Sequence, residues 1–175
     1  MPTSTRRVVT GKDASGKAIV LSDETLAAHG RPELGIAPTL LWVTDSLPAQ
    51  VRTTSGDLPQ VGIAPPPNGT IFRIVELAPE QTIAAPDEAR RQAMQQMKLA
   101  PEGAQKDNPR HPGMHRTNSI DYAVILSGEV DMLLDEEDVH LTAGDVIVQQ
   151  ATNHAWANRG TVPCRIAFIL VDAGG

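Results

Sequence analysis

Cysteine is almost missing: Cys164 is the only one in 175 residues, so no disulfide can close within the chain and no C-x-x-C pair exists for redox or zinc chemistry. It lies inside the strand-like run PCRIAFILV, where a buried, inert thiol is expected. Long apolar runs are missing too. Stretches such as Ile166 to Val171 fall far short of the roughly 20 residues a membrane-spanning helix needs. The first residues, MPTSTRRVVTGK, lack the apolar stretch of a secretory signal, so a cytoplasmic address is expected. No basic stripe is present, and 21 acidic against 15 basic residues give a formal net charge of -6, which argues against nucleic acid as a partner. The glycine-lysine pairs at 11–12 and 16–17 lack the surroundings of a phosphate loop, and no G-x-S-x-G elbow occurs. Nucleotide and acyl-enzyme chemistry drop out.

What remains is a chain with 41% apolar and 21% charged residues and a length suited to one domain, 1–175. Fourteen prolines and fourteen glycines punctuate short strand-like runs. RRVVTG and KAIVLSDE flank a turn at Asp13 to Gly16, TLLWVTDSL follows Pro38, and TIFRIVELAPE starts after the turn dipeptide Asn68-Gly69. Ala64 to Gly69, with three consecutive prolines, reads as a surface connector. Residues 1–80 are thus N-terminal strands and turns. One helix is predicted over Asp87 to Lys98, with acidic residues at its start and Pro86 just ahead, followed by a loop over 99–110. From 111 to 172 strands recur at short spacing, which predicts an all-β sandwich or barrel of antiparallel strands.

The chemistry-bearing residues gather in that last part. Side chains of equal parity on a strand share a face, so His115, Thr117, Ser119 and Asp121 form one row that continues into Ala123 and Ile125. A polar start and an apolar end suit a barrel with a wet mouth and a packed floor. Met114, Arg116 and Tyr122 point the other way. In QQATNHAWAN, His154, Trp156 and Asn158 share a second face. A carboxylate inside a barrel needs a cation or donors, so Asp121 calls for a metal, a histidine or an arginine. Asp145, after Gly144, suits a backbone cap, and no functional role is expected of His29 or His140.

These two segments resemble the paired motifs of the cupin superfamily, G-x5-H-x-H-x3,4-E-x6-G and G-x5-P-x-G-x2-H-x3-N. Aligned on Gly128, His115 takes the place of the first histidine, Thr117 of the second and Asp121 of the glutamate; aligned on His154, Asn158 takes the closing asparagine. The resemblance covers about the last third of the chain. It implies an antiparallel β-barrel of jelly-roll (double-stranded β-helix) type, here with an N-terminal strand extension and one short helix, and it implies a homodimer. It also implies a divalent metal, Fe, Mn, Ni or Zn, on His115, Asp121 and His154, with open positions for a small oxygenated substrate. His111 is expected as a fourth ligand or proton carrier and Asp121 as an alternative acid or base. Thr117, Tyr122, Gln149, Asn153 and Trp156 are expected to contact substrate. Dioxygenase, decarboxylase and isomerase or dehydratase chemistry all suit such a site. Thr117 in place of a histidine keeps a second reading open, a metal-free cupin that binds a small ligand without catalysis.

Overall fold

Ten strands and one α-helix make up the described residues, 3–31, 34–96 and 110–173, of the computed structural model. In chain order they are β1 (Thr5–Lys12), β2 (Ala18–Leu26), β3 (Ile36–Thr44), β4 (Thr70–Leu77), α1 (Asp87–Gln96), β5 (Ser119–Ser127), β6 (Glu129–Leu133), β7 (Asp138–Thr142), β8 (Val146–Gln150), β9 (Ala155–Ala157) and β10 (Cys164–Asp172). β1 and β2 form an antiparallel ribbon, β3-β4-β10-β5-β8 a five-stranded sheet, and β7-β6-β9 a three-stranded sheet. Every recorded pairing within them is antiparallel.

The strands follow from side-chain alternation. In β3 every second residue is buried, and in β5 Ser119, Asp121, Ala123 and Ile125 turn inward while Tyr122 turns out. The two larger sheets close on a core that includes Ile125, Val130, Met132, Cys164 and Ile166. Fully burying an isoleucine such as Ile166 stabilises the fold by about 1.5–3 kcal/mol. Gly128 joins β5 to β6 at φ 76°, and a Cβ there would sit 2.7 Å from the Pro163 carbonyl oxygen. Only glycine fits.

The ribbon docks on the five-stranded sheet by long polar side chains. Arg7 Nη1 donates to the Leu41 carbonyl at 2.8 Å, and Arg165 Nη2 donates to Thr5 Oγ1 at 3.1 Å. The helix runs to Gln96 within the described residues; Lys98 and nearly all of the expected loop lie outside them. A short 3-10 turn, Glu80–Thr82, precedes it. Among the described residues no helix is long and apolar enough to cross a membrane.

Candidate functional site

The inner ends of β3, β4, β5 and β10 open onto a cavity of about 450 Å³. Register places its polar groups. Across the sheet, Asp121 pairs with Leu170 and Leu170 with Ile71, while one pleat further on Ala123 pairs with Phe168 and Phe168 with Arg73. Asp121 and Arg73 therefore come from strands on either side of β10 and both line the cavity.

His115 and His154 lie outside the regular strands and are joined by their own antiparallel bridge, each backbone N–H donating to the other's carbonyl at 2.8 and 2.9 Å. Their ring centroids are 4.3 Å apart. Each Nδ1 meets a backbone carbonyl, Gly113 for His115 at 2.9 Å and Thr152 for His154 at 3.0 Å. A carbonyl only accepts, so each Nδ1 carries the proton and each neutral ring keeps its lone pair on Nε2. Burial lowers the pKa of both. For His154 burial and then the neighbouring His115 push it down to about 3. The cavity thus holds two neutral imidazoles side by side, held by backbone. Trp156 packs edge-on against His154, at 5.9 Å between centroids, and against Phe168 at 5.4 Å.

Asp121 sits in a different web. Ser119 Oγ donates to its Oδ1 at 2.5 Å and Gln149 Nε2 to its Oδ2 at 3.2 Å. Because Ser119 spends its one proton on the carboxylate, Thr117 Oγ1, 2.8 Å away, is the donor to Ser119. A hydroxyl relay therefore runs from Thr117 at the cavity wall through Ser119 to Asp121. Burial raises the Asp121 pKa, partly offset by the Ser119 hydrogen bond and the charge of Arg73. This web predicts an order of costs. Ser119→Ala removes a donor to a buried charge and is expected to lose about 2–3 kcal/mol, and Thr117→Val about 1 kcal/mol, in urea denaturation with unchanged m values.

At the rim, His111 Nδ1 accepts from Gly113 N–H at 3.0 Å and its Nε2–H donates to Glu80 Oε1 at 2.6 Å. Glu80 also receives Arg90 Nη2 at 3.2 Å, which ties α1 to the cavity. These bonds, led by the one from His111, hold the Glu80 carboxyl below its usual range.

The expected site residues fall in different places. His115, Asp121 and His154 line one cavity, but among the described residues no three His, Cys, Asp or Glu side chains converge closely enough to hold an ion. Each Asp121 oxygen accepts one hydrogen bond, from Ser119 or from Gln149, which fixes the carboxylate and leaves lone pairs on both oxygens. His111 reaches the cavity with both ring nitrogens spent. Tyr122 is 44% exposed on the outer face of β5, as its parity requires. Asn153 reaches across the surface to Asp135 at 2.9 Å and does not line the cavity. Gln149 is buried against Asp121 and also stays off the cavity wall. Asp145 is a cap, accepting from Thr142 N–H at 2.7 Å. Of the expected contacts, Thr117 and Trp156 line the cavity.

Several charged or titratable cavity residues escaped the sequence reading, Arg31 among them. Arg73 is hidden in the ordinary strand TIFRIVEL, although a charged residue of inward parity was its signal; Glu80 and Arg90 belong to a turn and helix with no motif, and His29 was set aside. Val61 and Ile63, just ahead of the expected connector Ala64 to Gly69, also line the cavity.

Residues 96–171, which contain both the histidine bridge and the Asp121 web, match the family described as Cupin domain. That segment is a cupin domain. The cupin match is accompanied by curated relatives. The Phomopsin biosynthesis cluster protein C' of Diaporthe leptostromiformis is 52% identical over 62 residues, covering 34% of this chain and 33% of that protein. The cupin-domain-containing oxidoreductase fogC of Aspergillus ruber is 26% identical over 176 residues, covering 95% of this chain and 71% of that protein. Its counterpart virC of Hypocrea virens is 27% identical over 179 residues, covering 96% and 76%. The stronger local match thus spans only a third of its relative's length. The weaker ones run through nearly all of this chain, and they are oxidoreductases by name.

Proposed function

We propose that the cavity is the catalytic site of an oxidoreductase-type cupin enzyme acting on a small oxygenated organic molecule. The observation that carries this reading is the pair of backbone-locked, neutral imidazoles, whose Nε2 lone pairs are left for a ligand in an apolar-walled cavity. Such a pair accepts hydrogen bonds from a substrate hydroxyl or enol and orients it. Taking up that proton outright creates an imidazolium in a buried place, which becomes accessible only when the negative charge of Asp121 or of the substrate balances it. The Thr117–Ser119 relay gives Asp121, itself in the cavity wall, a second route to a ligand without moving the carboxylate. Relatives named as oxidoreductases and as biosynthesis cluster proteins support a small metabolite as substrate.

Metal dependence through His115, Asp121 and His154 has no three-donor site behind it, so no step is drawn through an ion. A second reading, a metal-free binding cupin without turnover, is favoured by Thr117 at the place of the family's second histidine. One experiment separates the readings. Purified protein, with its metal content measured, is incubated with a panel of hydroxylated aromatic and aliphatic carbonyl compounds under air, and products are followed by mass spectrometry. The catalytic reading expects turnover that falls at least a hundredfold in His154→Ala, in line with losing a positioned acid-base group. Binding without any turnover across the panel favours the second reading.

A further inference from the structure

We infer that the ligand of this cavity is a hydroxylated carboxylic acid, its carboxylate docking on Arg73 and its hydroxyl on the His115–His154 pair. The inference rests on the reading of the cavity as the ligand site and adds the chemical class of the ligand. Arg73 enters the cavity from β4, with Nη2 held by the carbonyls of Gly62 and Ile63 at 3.0 and 2.8 Å. Its Nε, buried, has no hydrogen-bond partner. Burial lowers its pKa to about 10, against the opposing charge of Asp121, so the group stays cationic at neutral pH. A buried cation is costly unless an anion or several acceptors meet it. Two peptide carbonyls and the charge of Asp121 meet it in part, and no recorded hydrogen bond or ion pair joins Arg73 to that carboxylate, whose recorded bonds come from Ser119 and Gln149. The cavity therefore holds an under-compensated guanidinium, the group whose planar fork best matches a carboxylate.

The histidines make the complementary demand. With Nδ1–H fixed on carbonyls, each Nε2 accepts only, so that side of the ligand must donate. Between these polar groups the walls are apolar, from Leu34, Ile36, Val75, Leu77 and Leu170. A ligand with an anionic oxygen, a hydroxyl and an apolar body satisfies all three surfaces. A neutral ligand leaves Arg73 as it was.

Calorimetric titration of the intact protein with the three isomeric hydroxybenzoates and the matching hydroxybenzamides tests this. The wild type is expected to bind at least one acid about tenfold or more tightly than its amide. Arg73→Gln, with its fold checked by circular dichroism, is expected to bring the two to near parity while leaving amide affinity within a factor of about three. Arg73→Lys, which keeps the charge and loses the fork, should retain part of the preference. Equal affinity for acids and amides in the wild type overturns the inference and leaves the cavity reading standing, as does a preference that survives in Arg73→Gln. If neither acids nor amides bind, the inference fails together with the reading beneath it.

Discussion

Metal-free protein is expected to lose roughly 5 kcal/mol of stability between pH 6.5 and 3 through His154 alone. The sign follows from where the proton goes. In the unfolded chain this imidazole titrates near 6.5, whereas in the folded chain burial, and then the neighbouring His115, hold it at about 3. Above pH 6.5 both states are neutral and the group contributes nothing. As pH falls through that window the unfolded chain takes up a proton that the native site refuses, so stability drops by up to 1.36 kcal/mol per unit. At pH 5 the loss already amounts to about 2 kcal/mol. His115 is shifted in the same direction and steepens the slope. Asp121, raised by burial, works the other way: its native carboxyl takes up a proton before the unfolded one does, so it adds stability as pH falls through its native value. Urea midpoints in chelator-treated buffer from pH 7 to 4.5, for the wild type and His154→Gln, isolate the effect. The variant should lose close to one proton of slope; an unchanged slope would mean that the ring is not held neutral by the fold.

The all-β architecture was legible because strands betray themselves by parity. The row His115, Thr117, Ser119, Asp121, Ala123, Ile125 needs nothing beyond alternation, and the burial pattern of β5 follows it for Ser119 to Ile125. The pairing of His115 with His154 was anticipated only as convergence, since a bridge between residues 39 positions apart depends on how two sheets close. The surroundings of Asp121 were not legible for a local reason. A carboxylate in the glutamate position of a family pattern looks like a ligand, but sequence spacing does not reveal that Ser119, two residues earlier on the same face, and Gln149, on the adjoining strand, also hydrogen-bond its oxygens. Arg73 was missed because a motif search looks for residues near one another in sequence, whereas the partner that makes this arginine notable lies two strands away across β10. Tyr122 and Asn153 show the opposite error. Polar or aromatic side chains beside motif residues invite a role, although parity had already turned Tyr122 outward.

Asn158→Ala is expected to be among the most damaging single substitutions outside the apolar core, at about 3–4 kcal/mol. The side chain is 2% exposed and makes three bonds to backbone. Its Nδ2 donates to the carbonyls of Leu77 and Val162, both at 2.9 Å, and its Oδ1 accepts from Gly160 N–H at 3.0 Å. Truncation leaves those groups unpartnered at about 1–3 kcal/mol each, less whatever entering water recovers. For a chain of this length the loss corresponds to a fall of about 10 °C in Tm. The consequence reaches the cavity, because Leu77 ends β4 and the Asn158 carbonyl accepts from Glu80 N–H at 2.9 Å, so this one residue ties the end of β4 and the Glu80–His111 rim to the exit of β9. Asn153→Ala, which removes only a surface bond to Asp135, is the matched control and is expected to cost less than about 0.5 kcal/mol. Thermal denaturation of the two variants decides the matter: equal Tm values would mean that the Asn158 side chain does not clamp the strand ends.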